Sequence, residues 1–175
     1  IQGSAVLRND AARSISGELV FERLNVSRLG AALGLGQQFS GDTAGSVRFS
    51  ASADSWAAIL SAINADGEFS LRRGNIQGVD LAEAVRRVSN TPVQGGATMF
   101  EQLTGKIRLT PMNYQFLGLV MDSGLMQSTG FVSVSKELNV SGKMDLQMQG
   151  SVNKTRVPVS ISGPLRTPSV QAGRG

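Results

Sequence analysis

GEFSLRRGNIQGVDLAEAV, residues Gly67–Val85, reads as a strand, a tight turn, a short return strand and a capped helix. Phe69 and Leu71 alternate with polar residues, the period-two signature of a half-buried strand. Arg73-Gly74-Asn75 is a turn signal, with Gly74 free to adopt positive φ, and Asn75–Val79 would return. Asp80-Leu-Ala-Glu83 fits a capping box. Asp80 can accept a backbone N–H, and Glu83 can reach back to the cap. Leu81, Ala84, Val85 and Val88 then form one helical stripe, with Arg86 and Arg87 near the C-terminus where the helix dipole favours cations.

The same pattern stands earlier, in Gly17–Leu33, GELVFERLNVSRLGAAL. Glu18 matches Glu68, Arg23 matches Arg73 and Asn25 matches Asn75 at a constant shift. After a two-residue gap, Leu29 meets Leu81 and Ala32 meets Ala84. A strand–helix unit used twice points to a scaffold extended by addition.

Working outward, Ile1–Arg8 and Ser14–Val26 read as strands, and Ser27–Gly34 as a short helix with Ser27 at the N-cap and Gly34 as the stop. Gly36–Thr43 reads as a loop and Gly45–Asp54 as a strand through Val47, Phe49 and Ala51. Asp54 would cap a helix over Ser55–Ile63. Ser89–Thr98, rich in Pro, Gly and polar residues, reads as a linker, and Met99–Leu103 as a helical turn. Beyond it lies a meander: Gly105–Thr110, Met112–Met121, Gly124–Val134, Leu138–Gly150 and Thr155–Ser162, joined by short turns. Pro158 inside a strand points to an edge or a bulge. Thr167–Gly175 reads as a frayed tail.

The expected fold is therefore α+β and mainly β: a twisted, largely antiparallel meander sheet, groove-shaped in one reading, with about three short helices on one side. Residues 1–90 form a repeat-like strand–helix half and residues 91–175 a β-meander half of one domain.

Composition narrows the chemistry. The 175 residues are 41% hydrophobic and 17% charged, which suits a folded chain. With neither cysteine nor histidine, thiol nucleophiles, disulfides, Ser-His triads and nearly all zinc or haem sites are excluded. No cofactor is expected. Carboxylates are scattered singly, without a close pair for acid–base work. Ser133-Val-Ser-Lys136 fits S-x-x-K, but the serine ends a strand instead of opening a helix, and no partner motif accompanies it. Gly34-Leu-Gly36 lacks the third glycine of a dinucleotide loop. A non-enzymatic protein follows. The net charge of +4 comes from the second half, with eight Lys/Arg against four Asp/Glu in residues 91–175. These are dispersed cations with one Trp and one Tyr in the chain, so nucleic acid is not an expected partner. No run of about 18 apolar residues is present, no signal peptide is visible, and the chain reads as a fragment of a longer protein.

Three segments in order resemble the C-terminal domain of the AsmA-like family of envelope proteins in diderm bacteria. They are Ile63-Asn-Ala-Asp-Gly67-Glu-Phe-Ser-Leu71, then Arg73-Gly-Asn-Ile-Gln-Gly-Val-Asp-Leu81, then Val157-Pro-Val-Ser-Ile-Ser-Gly-Pro-Leu165 with Thr167-Pro168. The likeness spans nearly the whole chain. Val93–Phe100 departs from it, because Gly and Pro interrupt a region where the family carries a longer strand run. The resemblance implies a periplasmic domain of a protein anchored in the inner membrane by an N-terminal helix outside these residues. It also implies a role in outer-membrane biogenesis, and a β-sheet groove that shields or transfers phospholipid or other acyl lipid.

Two readings of the apolar strand faces stay open. In one, the helices close a conventional core. In the other, the meander leaves a trough lined by Met144, Leu146, Met148, Val157, Val159 and Ile161, the candidate lipid-facing residues. A separate alternative is an assembly domain that docks envelope proteins by pairing at its sheet edges.

Overall fold

A computed structural model describes residues 1–32, 38–87, 91–150 and 156–173. The chain is mainly β, with eleven strands in one open antiparallel sheet. In chain order these are β1 (Gln2–Asn9), β2 (Arg13–Asn25), β3 (Phe39–Ala53), β4 (Asn64–Gln77), β5 (Val93–Gln94), β6 (Ala97–Leu109), β7 (Asn113–Asp122), β8 (Met126–Ser135), β9 (Asn139–Met148), β10 (Arg156–Pro164) and β11 (Ser169–Ala172). The spatial order is β1-β2-β3-β4-β6-β7-β8-β9-β10-β11-β5. Helices α1 (Val26–Ala32), α2 (Trp56–Ile59, continued by a 3-10 turn at Leu60–Ala62) and α3 (Leu81–Arg87) follow β2, β3 and β4.

The two matched segments share a backbone feature. In β2, Glu22 and Arg23 together face Ala44, and in β4, Arg73 and Gly74 together face Gly41. Each is a β-bulge, and the two matched arginines share a left-handed backbone, φ 52° at Arg23 and 50° at Arg73. A capped helix then follows in both units. In the first, the Asn25 side chain accepts from the Ser27 and Arg28 amides, so Asn25, not Ser27, is the cap. In the second, Asp80 accepts from the Glu83 amide at 2.8 Å. Glu83 does not reach back to Asp80; its carboxylate pairs with Arg87 at 2.6 Å and Arg86 at 3.7 Å.

Several local expectations are corrected. Arg73-Gly74-Asn75 is not a turn, because β4 runs unbroken from Asn64 to Gln77 between β3 and β6. The left-handed residue is Arg73. Gly74 instead admits the Phe100 ring, into which a Cβ at that position would run. Met99–Leu103 is not helical: it belongs to β6, with Phe100 and Leu103 buried. Residues 39–43 are strand, paired with β4. Ser55, not Asp54, caps α2, accepting from the Ala58 amide at 3.3 Å. The supposed linker contains β5 and opens β6. The supposed tail is β11, whose Val170 is fully buried. Pro158 lies in an interior strand, just past the end of the β10–β11 ladder, and its carbonyl accepts from Gly173. Gly34 and Val88 fall outside the described residues.

The two halves of the sheet differ in cover. β11 hydrogen-bonds to β5, which is only Gly95 and Gly96 away from β6, so the meander curls back towards its own first strand. Both glycines have positive φ, 78° and 76°, a conformation that costs glycine little. The curled interior holds one apolar cluster, including Phe100, Leu103, Met121, Leu146, Val159 and Val170, with Leu81 and Ala84 of α3 packed into it. Buried Thr98 ties α3 down, donating to the Val79 carbonyl at 2.7 Å and accepting from the Leu81 amide at 3.1 Å. Beyond β4 the sheet continues as β3, β2 and β1, and every residue of β1 is exposed.

Candidate functional site

Antiparallel register places directly opposed residues on one face, so the register defines the faces of the β1–β4 half. On one face, Glu18, Arg48, Asp66 and Arg108 lie opposite one another along a row across β2, β3, β4 and β6. Asp66 pairs with Arg108 at 3.0 Å and Glu68 with Lys106 at 3.8 Å. These exposed pairs contribute little stability, about 0–1 kcal/mol each, but opposite charges face one another and favour this register. The face lines an open concavity of about 790 Å³.

The other face is apolar and built on glycine. One row runs Gly3, Leu19, Val47, Gly67, Ile107 and Phe116, and the next runs Phe21, Gly45, Phe69 and Gly105. Large residues lie down over the glycines beside them. A Cβ on Gly17 would stand 2.7 Å from the Phe49 ring, and one on Gly45 3.0 Å from the Phe21 ring. Phe69 meets Phe116 edge to face, with centroids 6.2 Å apart. The result is a shallow apolar surface continuous with the buried cluster, since Phe69 and Phe116 pack against it.

Cover fades along this face. Leu146 is 1% exposed, Phe69, Val47, Phe49 and Phe21 are half-buried, Leu19 is 39% exposed and Leu7 on β1 is 62% exposed. Helix α2 buries Ile59, and Ala51 and Ala65 are buried as well. Leu7, Ile15, Leu19, Phe21, Val47 and Phe49 stay partly open.

The six candidate lipid-facing residues lie together, on β9 and β10. Met144, Leu146, Val159 and Ile161 are buried, while Met148 and Val157 are half-buried and packed on the same cluster. They belong to the same cluster as Leu81, Ala84 and Val170. The open apolar stretch is instead in the first half. Its signal was present in the alternation of Ile15, Gly17, Leu19 and Phe21, but the sequence does not show that β2 is second to last in the sheet among the described strands.

Ser133 lies within β8 opposite Gln115 and Ser141, and Lys136 sits in the β8–β9 turn, its amide donating to the Met112 carbonyl. No hydrogen bond joins their side chains among the described residues. In the same turn, the Glu137 carboxyl is held below its usual range by its own backbone amide and by the Ser135 hydroxyl. No cluster of three or more potential metal ligands occurs, and no helix is long and apolar enough to cross a membrane, among the described residues.

Comparison of the chain with family models, with curated proteins and with solved structures gives no match.

Proposed function

We propose that this chain is a non-enzymatic periplasmic module of an inner-membrane-anchored protein, serving outer-membrane biogenesis by shielding acyl chains of phospholipid or another acyl lipid. The observation that carries the reading is the apolar face of β1–β4, which runs outward from the buried cluster past the chain's own cover. Contiguous exposed apolar surface is uncommon on soluble monomers and marks a binding surface when it occurs. Glycines set between Phe21, Val47 and Phe49 keep this face shallow, so an extended hydrocarbon chain can lie along it without displacing a side chain. The compartment and the membrane anchor rest on the likeness of the ordered segments at 63–71, 73–81 and 157–168 to AsmA-like domains.

The shielding surface in this reading is the first-half face. Met144, Leu146, Val159 and Ile161 contribute as the floor on which that face is built. Mass spectrometry of lipids retained by the purified longer protein tests the proposal. A stoichiometric acyl lipid, reduced severalfold by Leu19→Asp, is the expected result. Absence of any retained lipid, with no binding of added phospholipid, would overturn it.

A further inference from the structure

Helix α2 and its 3-10 turn stand where the apolar face of the first half ends. The row Leu7, Ile15, Ala51 crosses β1, β2 and β3 two residues before β3 closes at Ala53. Ile59 is buried, but Trp56 is 42% exposed and Leu60 78% exposed. Their i,i+4 spacing puts both on one side of the helix. The entry to α2 is tied down: Arg13 donates to the Asp54 carbonyl, and Ser55 accepts from the Ala58 amide. Ala65 pairs with Leu109, so the turn after β6 lies beside the connection that holds α2. Met112 of that turn is 68% exposed. Three large apolar side chains thus stand in water on two adjacent tips of the sheet.

We propose that this tip docks peripherally on a phospholipid bilayer. Trp56 and Leu60 enter the interface beside Met112, and the end of the apolar face is thereby brought to the lipid it shields. The choice of a bilayer rests on the acyl-shielding reading above. A specific protein complex needs a broad complementary surface, about 800 Å² per partner, whereas these are single side chains on two narrow connections. A bilayer accepts such side chains one at a time, and an indole favours the headgroup level. Arg8 and Arg13 of the β1–β2 hairpin are matched at this end by Asp10 and Asp54. Apolar insertion, not charge attraction, therefore drives the contact.

Trp56 is the only tryptophan of the chain and reports its own surroundings. With phosphatidylcholine vesicles, its emission is expected to move to shorter wavelength and to be quenched by phospholipid brominated on the acyl chain. Both effects are expected to persist at high salt, which screens charge but not apolar insertion. Leu60→Asp, at an exposed site, is expected to weaken vesicle partitioning about tenfold or more while leaving the binding of dispersed short-chain phospholipid intact. Leu19→Asp is expected to do the reverse, so the docking tip and the shielding face fail separately. A benzophenone amino acid at position 60 of the longer protein is expected to give lipid adducts. Trp56 emission unmoved by vesicles would overturn the inference. So would binding that requires anionic lipid and is lost at high salt, or a probe at position 60 that crosslinks only to polypeptide, because that result assigns the tip to a protein segment.

Discussion

Leu146→Ala separates a closed core from an open lining in the meander half. Leu146 is 1% exposed, sits opposite Ser128 on β8 and Val157 on β10, and lies in the same cluster as Leu81 and Val170. Truncating a leucine in such a site removes its transfer free energy and leaves a cavity, together about 2.7–5 kcal/mol. For a domain of this length each kcal/mol moves Tm by about 2–4 °C, so a loss of roughly 5–20 °C is expected. Leu60→Ala, at a residue 78% exposed, is the reference and is expected within about 0.5 kcal/mol of the parent. Both variants are to be measured by urea denaturation and thermal melting on delipidated protein, since bound lipid would itself stabilise the fold. If Leu146→Ala cost no more than Leu60→Ala, the side chain would not be in a closed core, and the assignment of the open surface to β1–β4 would fail.

Other outcomes follow from the same geometry. Thr98→Val keeps the shape but leaves the Val79 carbonyl and Leu81 amide without their partner, and is expected to cost about 1–3 kcal/mol in urea denaturation, with faster amide exchange in α3. Deleting residues 168–175 removes buried Val170 and Ala172 and the partner of β5; a destabilisation of at least about 3 kcal/mol is expected, where a frayed tail would cost nothing measurable. Glu137 has a depressed carboxyl pKa, so its contribution is present above the unfolded-state value of about 4.3 and is lost as pH falls through the lower folded-state value. A pH series of melts is expected to show this small acid loss reduced in Ser135→Ala, which removes the side-chain hydrogen bond to the carboxylate.

What could be read from the sequence was what local patterning controls. The meander strands after residue 104 alternate cleanly, and β6–β10 overlap the expected segments. The matched Arg23 and Arg73 pointed to a duplicated unit, and both occupy left-handed bulges. Asp80 is the cap that its position announced. The failures occurred where distant pairing overrode a local signal. Arg73-Gly74-Asn75 has the composition of a turn, yet β3 on one side and β6 on the other hold it extended, and Gly74 is there to admit Phe100. Phe100 and Leu103 have helical spacing, but pairing with Gly74 and Leu71 makes them strand. Ser169–Ala172 is short and polar in part, and only its pairing with β10 and β5 gives it structure.

The candidate site followed the same division. An apolar stripe at Met144, Leu146, Met148, Val157, Val159 and Ile161 was visible in the sequence, but not what covers it. The cover comes from α3, β11 and the curl of the meander, all set by contacts far apart in the chain. The open stretch at Leu19 and its neighbours has the same alternation as the buried one. The position of β2 next to the last strand of the sheet among the described residues distinguishes them.

Site-resolved photocrosslinking tests the central claim most directly. A benzophenone amino acid replaces Leu19 in one variant of the longer protein and Leu146 in another, each irradiated in the presence of phospholipid vesicles and analysed by mass spectrometry. Lipid adducts at position 19, with none at position 146, are the predicted result. Adducts at 146 with none at 19 would place the lipid in the meander interior, and adducts at neither position would contradict acyl-chain shielding by this chain.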